Sequence, residues 1–323
     1  MLFSCSGEPA LTLRGETMGT FYMVKVCGAE EDHEKARVRM AVNAALTSVN
    51  RSMNTYDPQS EISQFNAYRE KGAFPLSPDF IYVTEIADSI YGVSRGAFDP
   101  TVGALVDMWG FGESRISEMP DSAAVSRNLQ HVGMDKIRIL KNGILKKDPE
   151  LHLDYASLAK GYGVDAVLRG IRELGYNDLL VEIGGEVRAG GSCNGRPWMV
   201  GVAVPEAGNV ANRRYSLRIG LEDMACASSG DYQQFYELKG KRYSHLIDPK
   251  TGYPIEHELT SVSVIAESCV VADALATAAI VLGKHKGIEM IESLEGVEAH
   301  FIYRDRRGGL QTVVSSGWTK YQK

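Results

Sequence analysis

The sequence predicts an α+β fold of largely antiparallel sheets with packed helices. Two observations carry that expectation. Short apolar-rich runs follow one another between turn residues, at 179–183, 187–189, 198–204, 215–219 and 224–227. Neighbouring runs are also joined by hairpin signals, Asn142-Gly143 inside 137–145 and Lys239-Gly240 inside 236–245. Consecutive, hairpin-linked strands fit antiparallel sheets better than a doubly wound parallel one.

The first strand-like stretch is Arg14 to Val26, with Met18-Gly19-Thr20 as a tight spot inside it. A glycine within a strand marks a bulge or a close approach to a ligand. Residues 31–53 form a helix, because Val38, Val42, Leu46, Val49 and Met53 recur at three-to-four spacing. Asp57-Pro58 ends regular structure. Ser77-Pro78 starts a further helix and Gly96 stops it. Residues 96–112 are rich in glycine and aromatics, which suits a pocket wall or a tight connection. Residues 121–131 read as a short helix. A strand from Leu151 leads into Ser157-Leu158-Ala159-Lys160-Gly161, and the helix after it buries Val164, Val167, Leu168, Ile171 and Leu174. After a strand at 261–266 come an Ala-rich helix from Val270 to Leu282, a last helix at 285–294, and strands at 297–303 and 310–314.

Length and composition bound the function. At 323 residues, with 44% hydrophobic and 24% charged side chains, the chain can bury a large core as one domain or two lobes. A net charge of -6 disfavours nucleic acid as a partner. Cys5, Cys27, Cys193, Cys226 and Cys269 are scattered and odd in number, which predicts neither a zinc site nor a disulfide framework. Leu2-Phe3-Ser4-Cys5-Ser6-Gly7 is similar to the end of a bacterial lipoprotein signal with Cys5 as the lipidated residue, although the preceding apolar segment is missing. Residues 1–13 are therefore expected to be a leader remnant, 14–318 the functional domain and 319–323 a tail.

Two regions look chemical. In the Ala-rich helix Asp273 and Thr277 are isolated polar residues four apart, so they share one face. A carboxylate and a hydroxyl aimed alike are a good oxygen pair for a hard cation, although a lone polar residue in an apolar helix is more often simply satisfied. Ser244-His245 ends a strand-like run and enters the turn at Asp248-Pro249. A histidine there serves either structure or proton transfer. The helix start at Lys160 is a ready anion site without being a Walker motif.

Separated motifs then coincide in order. They are Glu16-Thr17-Met18-Gly19-Thr20; Asn54-Thr55-Tyr56 with Ser60-Glu61; Phe98-Asp99-Pro100-Thr101 with Trp109-Gly110; and Ala159-Lys160-Gly161 with Asp165. Further on come Glu182 to Gly185, Ser228-Ser229-Gly230, Ser244-His245 with Asp248-Pro249, and Ala272-Asp273 through Thr277. Together they resemble the ApbE family, FAD:protein FMN transferases that are often periplasmic bacterial lipoproteins. The likeness spans about residues 14–318.

The resemblance implies FAD as substrate, cleaved with a divalent cation, Mg²⁺ or in its place Mn²⁺. FMN passes to a Ser or Thr hydroxyl of an acceptor protein and AMP leaves. It implies cation ligands at Ala159 (backbone carbonyl), Asp273 and Thr277, and His245 as the proton acceptor. Met18, Tyr56 and Trp109 become candidates for the flavin ring. Lys160, Asp165, Glu182, Gly184, Gly185, Ser228, Ser229 and Asp248 become candidates for the nucleotide and phosphates. Asn54 departs from the family's usual Ser before Thr-Tyr, and Cys226-Ala227-Ser228 from Ile-Ala-Thr. The family's acceptor signature, Asp-x-x-[Ser/Thr]-Gly-Ala-[Ser/Thr], is absent, so the acceptor is expected to be another protein. Two rival readings stand beside transfer: a Mg²⁺-dependent FAD pyrophosphatase using water, and a periplasmic protein that stores FAD. A lipid on Cys5 would be the only membrane contact.

Overall fold

Leu179, Val181 and Ile183 point to one side of a strand and Leu180 to the other, and both sides are buried. Such a strand needs a layer on each face. A computed structural model describes residues 11–29, 32–112, 118–204, 215–231, 235–238 and 240–323. In it the hairpin β1 (Leu11–Thr17) and β2 (Thr20–Val26) leads to α1 (Asp32–Met53) and α2 (Glu61–Ala67). A small sheet of β3 (Ala73–Pro75), β4 (Ile137–Leu140) and β5 (Gly143–Lys146) brackets α3 (Pro78–Val93), α4 (Gly103–Met108) and α5 (Ser122–Leu129). Then come α6 (Ala159–Arg172), β6 (Leu179–Ile183), β7 (Glu186–Gly190), β8 (Trp198–Ala203), β9 (Tyr215–Leu221) and β10 (Ala225–Gly230). The chain closes with β11 (Phe235–Leu238), β12 (Lys241–Ser244), β13 (Leu259–Ala266), α7 (Cys269–Glu292), β14 (Glu298–Arg304) and β15 (Leu310–Val314).

The main sheet runs β1-β2-β6-β7-β10-β13-β14-β15, and every neighbouring pair is antiparallel. One face packs on α1, α6 and α7 through Val38, Val42, Val167, Ile171 and Cys269. The other packs on the β8–β9 pair and Trp318. The expected α+β class is therefore found.

Local differences from the sequence reading have physical causes. Arg14 to Val26 is a hairpin, not one strand: Met18 and Gly19 have φ of 50° and 68°, the left-handed pair that a two-residue turn requires. No strand forms at Leu151, where an isolated bridge joins Val102 to His152. The two helices read at 270–282 and 285–294 run on as α7 with a break between them at Gly283, φ 75° and ψ 174°, as expected. His257 Nε2 donates to the Ile280 carbonyl at that break, 2.7 Å away. Residues 11–13, expected in a leader, belong to β1, and Leu13 is buried. The expected tail docks on β9, where Gly220 N donates to Tyr321 O and Lys323 N to Arg218 O. Cys5 lies outside the described residues, as does Lys239 of the hairpin signal.

The cysteine reading is corrected as well. Cys27 and Cys193 form a disulfide across 166 positions, joining the end of β2 to the loop before β8. Spacing carried no hint of it because sheet order, not sequence, brings the two together. Cys226 and Cys269 are free and buried.

Candidate active site

α6 and α7 cross so closely at Gly161 that a Cβ there would stand 2.4 Å from the Cys269 carbonyl oxygen and 2.9 Å from Asp273 Cβ. Glycine is what allows the approach, and the approach sets the site. At this crossing Gly161 N–H donates to Asp273 Oδ2 at 3.0 Å. The anion at the α6 N-terminus is thus the chain's own carboxylate. Asp273 is 2% exposed. Burial pushes its carboxyl up to about 7, against the opposing pull of Lys160. One helical turn on, Thr277 Oγ1 lies 3.0 Å from Ser229 Oγ of β10.

These residues form one wall of a cleft of about 890 Å³. Ala159, Lys160, Ser228, Ser229, Asp273 and Thr277 all line it, and His245 lines it too. Such a volume holds a ligand of dinucleotide size. Lys160 Nζ reaches Glu186 Oε1 at 2.5 Å. Burial works against the Lys160 charge, yet Asp273 and Glu186 outweigh it and hold the ammonium firmly protonated. His245 directly follows β12, and its ring stands edge-on to Phe111 with centroids 6.2 Å apart. The apolar side of the cleft carries Met18, Phe98, Phe111 and Tyr56. Tyr56 is 64% exposed, and its backbone N–H is held by Asn54 Oδ1 at 3.0 Å. The Asn54 departure thereby becomes the cap of the loop that presents Tyr56.

The residues able to hold a cation are all hard oxygens: the Asp273 carboxylate, the Thr277 hydroxyl and the Ala159 carbonyl. A buried carboxylate in a cleft wall beside a hydroxyl fits a Mg²⁺-type ion. No cluster of three His, Cys, Asp or Glu exists among the described residues.

Six other sequence candidates stand outside the cleft, and two of them form one turn. Trp109 is buried behind its wall, with Nε1–H donating to Gly252 O at 2.8 Å and its ring stacked on Tyr243. Asp165 receives the Cys269 and Val270 amides at 3.0 and 2.9 Å, capping α7, and pairs with Arg188 at 2.7 Å. Glu182 sits on β6 opposite Met23, and its charge acts on Lys25. Gly184 and Gly185, with φ of 64° and 115°, make the turn from β6 to β7. Asp248 shapes its own loop, Oδ1 accepting Lys250 N–H at 2.9 Å. Trp109, Asp165, Gly184-Gly185 and Asp248 each hold part of the fold in place, a role that looks the same in the sequence as a binding one. Glu186 was missed. Its only signal is a carboxylate placed directly after a Gly-Gly turn and ahead of an apolar run.

Asp99, also in the cleft wall, yields a pH prediction. Its Oδ1 accepts from Thr101 N–H at 2.9 Å and Thr101 Oγ1–H at 2.6 Å, yet burial pushes its carboxyl up to about 6. The folded state therefore keeps this proton more tightly than the unfolded chain. Stability falls as pH rises from about 4 to about 6, by roughly 2–3 kcal/mol, and the cost persists above. Asp99→Asn keeps the acceptor and removes the charge. It is expected to raise Tm at pH 8 and to change little at pH 4, read by calorimetry at the two pH values.

The family profile described as "ApbE family" matches residues 18–301. The FAD:protein FMN transferase of Haemophilus influenzae is 38% identical over 334 residues, covering 99% of this chain and 94% of that protein. That of Vibrio cholerae is 37% identical over 283 residues, covering 87% and 84%. Among solved structures, the flavin transferase ApbE from Vibrio cholerae superposes with a TM-score of 0.86 at 34% identity, over 97% of this chain and 100% of that one. The apo Pseudomonas stutzeri flavinyl transferase ApbE gives 0.85 at 31%, over 99% and 98%.

Proposed function

From the premise that this chain belongs to the ApbE family, we infer that its cleft moves FMN from FAD to a hydroxyl of an acceptor protein and releases AMP. The observation that carries this reading is the oxygen pair of buried Asp273 and half-buried Thr277, with His245, lining one cleft with an apolar aromatic side. A storage protein needs no proton acceptor.

The chemistry is a displacement at the phosphorus bonded to riboflavin. The acceptor oxygen forms the new P–O bond, the bond to the AMP phosphate breaks, and the hydroxyl proton goes to His245. A hard cation held by Asp273, Thr277 and the Ala159 carbonyl would offset negative charge on the diphosphate. Lys160 adds a second positive charge along the same wall. Met18, Phe111 and Tyr56 offer the flavin ring apolar contact and bring the reacting phosphate within reach of the imidazole.

His245→Ala is expected to lower transfer by roughly 10²- to 10⁴-fold with FAD binding nearly unchanged. Stopped-flow transfer and FAD titration together check it; an unchanged rate assigns the proton elsewhere. The decisive test of the function is mass spectrometry of an acceptor after incubation with FAD and Mg²⁺. An FMN adduct on a Ser or Thr is expected. Free FMN and AMP in acceptor-free reactions, with no adduct when acceptor is added, would make water the acceptor.

The Cys27–Cys193 disulfide supports an oxidising compartment, in keeping with a periplasmic location. Lipid attachment at Cys5 would tether the domain to a membrane. No helix among the described residues is long and apolar enough to cross one.

A further inference from the structure

Glu186 is a buried carboxylate with an unusual environment. Its side chain is 2% exposed, Oε1 holds Lys160 Nζ at 2.5 Å, and Oε2 is buried with no hydrogen-bond partner. A Cβ at Gly184, the first residue of the β6–β7 turn, would lie 3.4 Å from Oε2 and 3.0 Å from Thr20 Cγ2. The turn thus presses the carboxylate inward, towards α6. Lys160 in turn keeps 29% of its side chain exposed in the cleft. The ammonium is therefore held by Glu186, feels the charge of buried Asp273 as well, and keeps part of its side chain open to the cleft.

Buried carboxylates rarely forgo a partner, and replacing such a pair by apolar groups is often harmless to stability. Retaining Glu186 therefore calls for a reason beyond packing. Without an anchor, a lysine beside Asp273 would close onto that carboxylate and compete directly with a cation for it. An anion behind the lysine divides its attraction and leaves Asp273 partly available.

We propose that Glu186 is a positioning residue: it draws the Lys160 ammonium off Asp273, so that the carboxylate accepts a divalent cation while the ammonium stays turned to the diphosphate. This rests on the reading of Asp273 as a cation ligand. It also implies that a diphosphate, by engaging Lys160, tightens cation binding, and that the cation tightens diphosphate binding by the same factor.

The test is Mg²⁺ binding to the full chain by calorimetry, with and without ADP, which carries the diphosphate but no flavin. Glu186→Gln is expected to weaken Mg²⁺ binding about tenfold without ADP. Lys160→Met is expected to tighten it severalfold and to reduce the gain from ADP, whose phosphates still attract the cation directly. In the Lys160→Met background, Glu186→Gln should shift the Mg²⁺ affinity less than twofold. That double variant removes both charges of the Lys160–Glu186 pair and so leaves no unpaired Glu186 carboxylate, and it serves if Lys160→Met alone unfolds. In that case the double variant is expected to bind Mg²⁺ at least as tightly as wild type. Equal effects of Glu186→Gln in both backgrounds would overturn the proposal, as would a double variant no tighter than Glu186→Gln alone. A wild type that binds no Mg²⁺, or an Asp273→Ala variant that binds it equally well, would instead overturn the cation reading beneath it.

Discussion

Asp273→Ala is expected to reduce FMN transfer by at least about 10³-fold at any Mg²⁺ concentration. A bound divalent ion contributes several kcal/mol to a phosphoryl-transfer barrier, and each 1.36 kcal/mol is tenfold in rate. The loss should come without unfolding. Asp273 is buried at a site where its ionised form is costly, and Lys160 keeps Glu186 as a partner. Tm is therefore expected to hold or rise while Mg²⁺ binding disappears. Initial rates across a Mg²⁺ series, paired with thermal melts, separate the two effects. Residual Mg²⁺-stimulated transfer near wild-type rate would remove Asp273 from the ligand set.

The second large effect is on stability. Cys27 and Cys193 close a loop of 166 positions, for which the chain-entropy model assigns about 5 kcal/mol. In a chain of 323 residues that corresponds to a fall in Tm of roughly 5–10 °C. The double variant Cys27→Ser/Cys193→Ser should melt that much lower and should be indifferent to dithiothreitol, whereas wild type should fall towards it on reduction. Cys226 and Cys269 are buried and unpaired, so neither offers an alternative partner. Equal melting temperatures for oxidised and reduced wild type would show that the crosslink contributes nothing to the folded state.

What the sequence made legible follows from how local each feature is. The α1 stripe of Val38, Val42, Leu46, Val49 and Met53 is a property of one helix and is buried as expected. The Asp273/Thr277 pair was readable because helical spacing alone puts both on one face, and both line the cleft. Long-range pairings were not readable. The disulfide, the Lys160–Glu186 contact and the docking of the C-terminal residues on β9 each depend on sheet order. Motif membership was also a poor guide to contact. Asp165 and Trp109 sit in family motifs, yet one caps a helix and the other packs behind the wall. A buried polar residue that builds the fold and one that grips a ligand look alike until the cleft is located.

The main sheet threads β13 between β10 and β14, and α7 follows it with Asp273 and Thr277. A polypeptide emerging from the ribosome therefore has most of its length available before the strand that completes the centre of the sheet exists. Until roughly the last fifth has been made, the cleft lacks Asp273 and Thr277. Ligand capture should then report on completed synthesis, and C-terminally shortened products ending before residue 269 should be blind to flavin however well their early helices form.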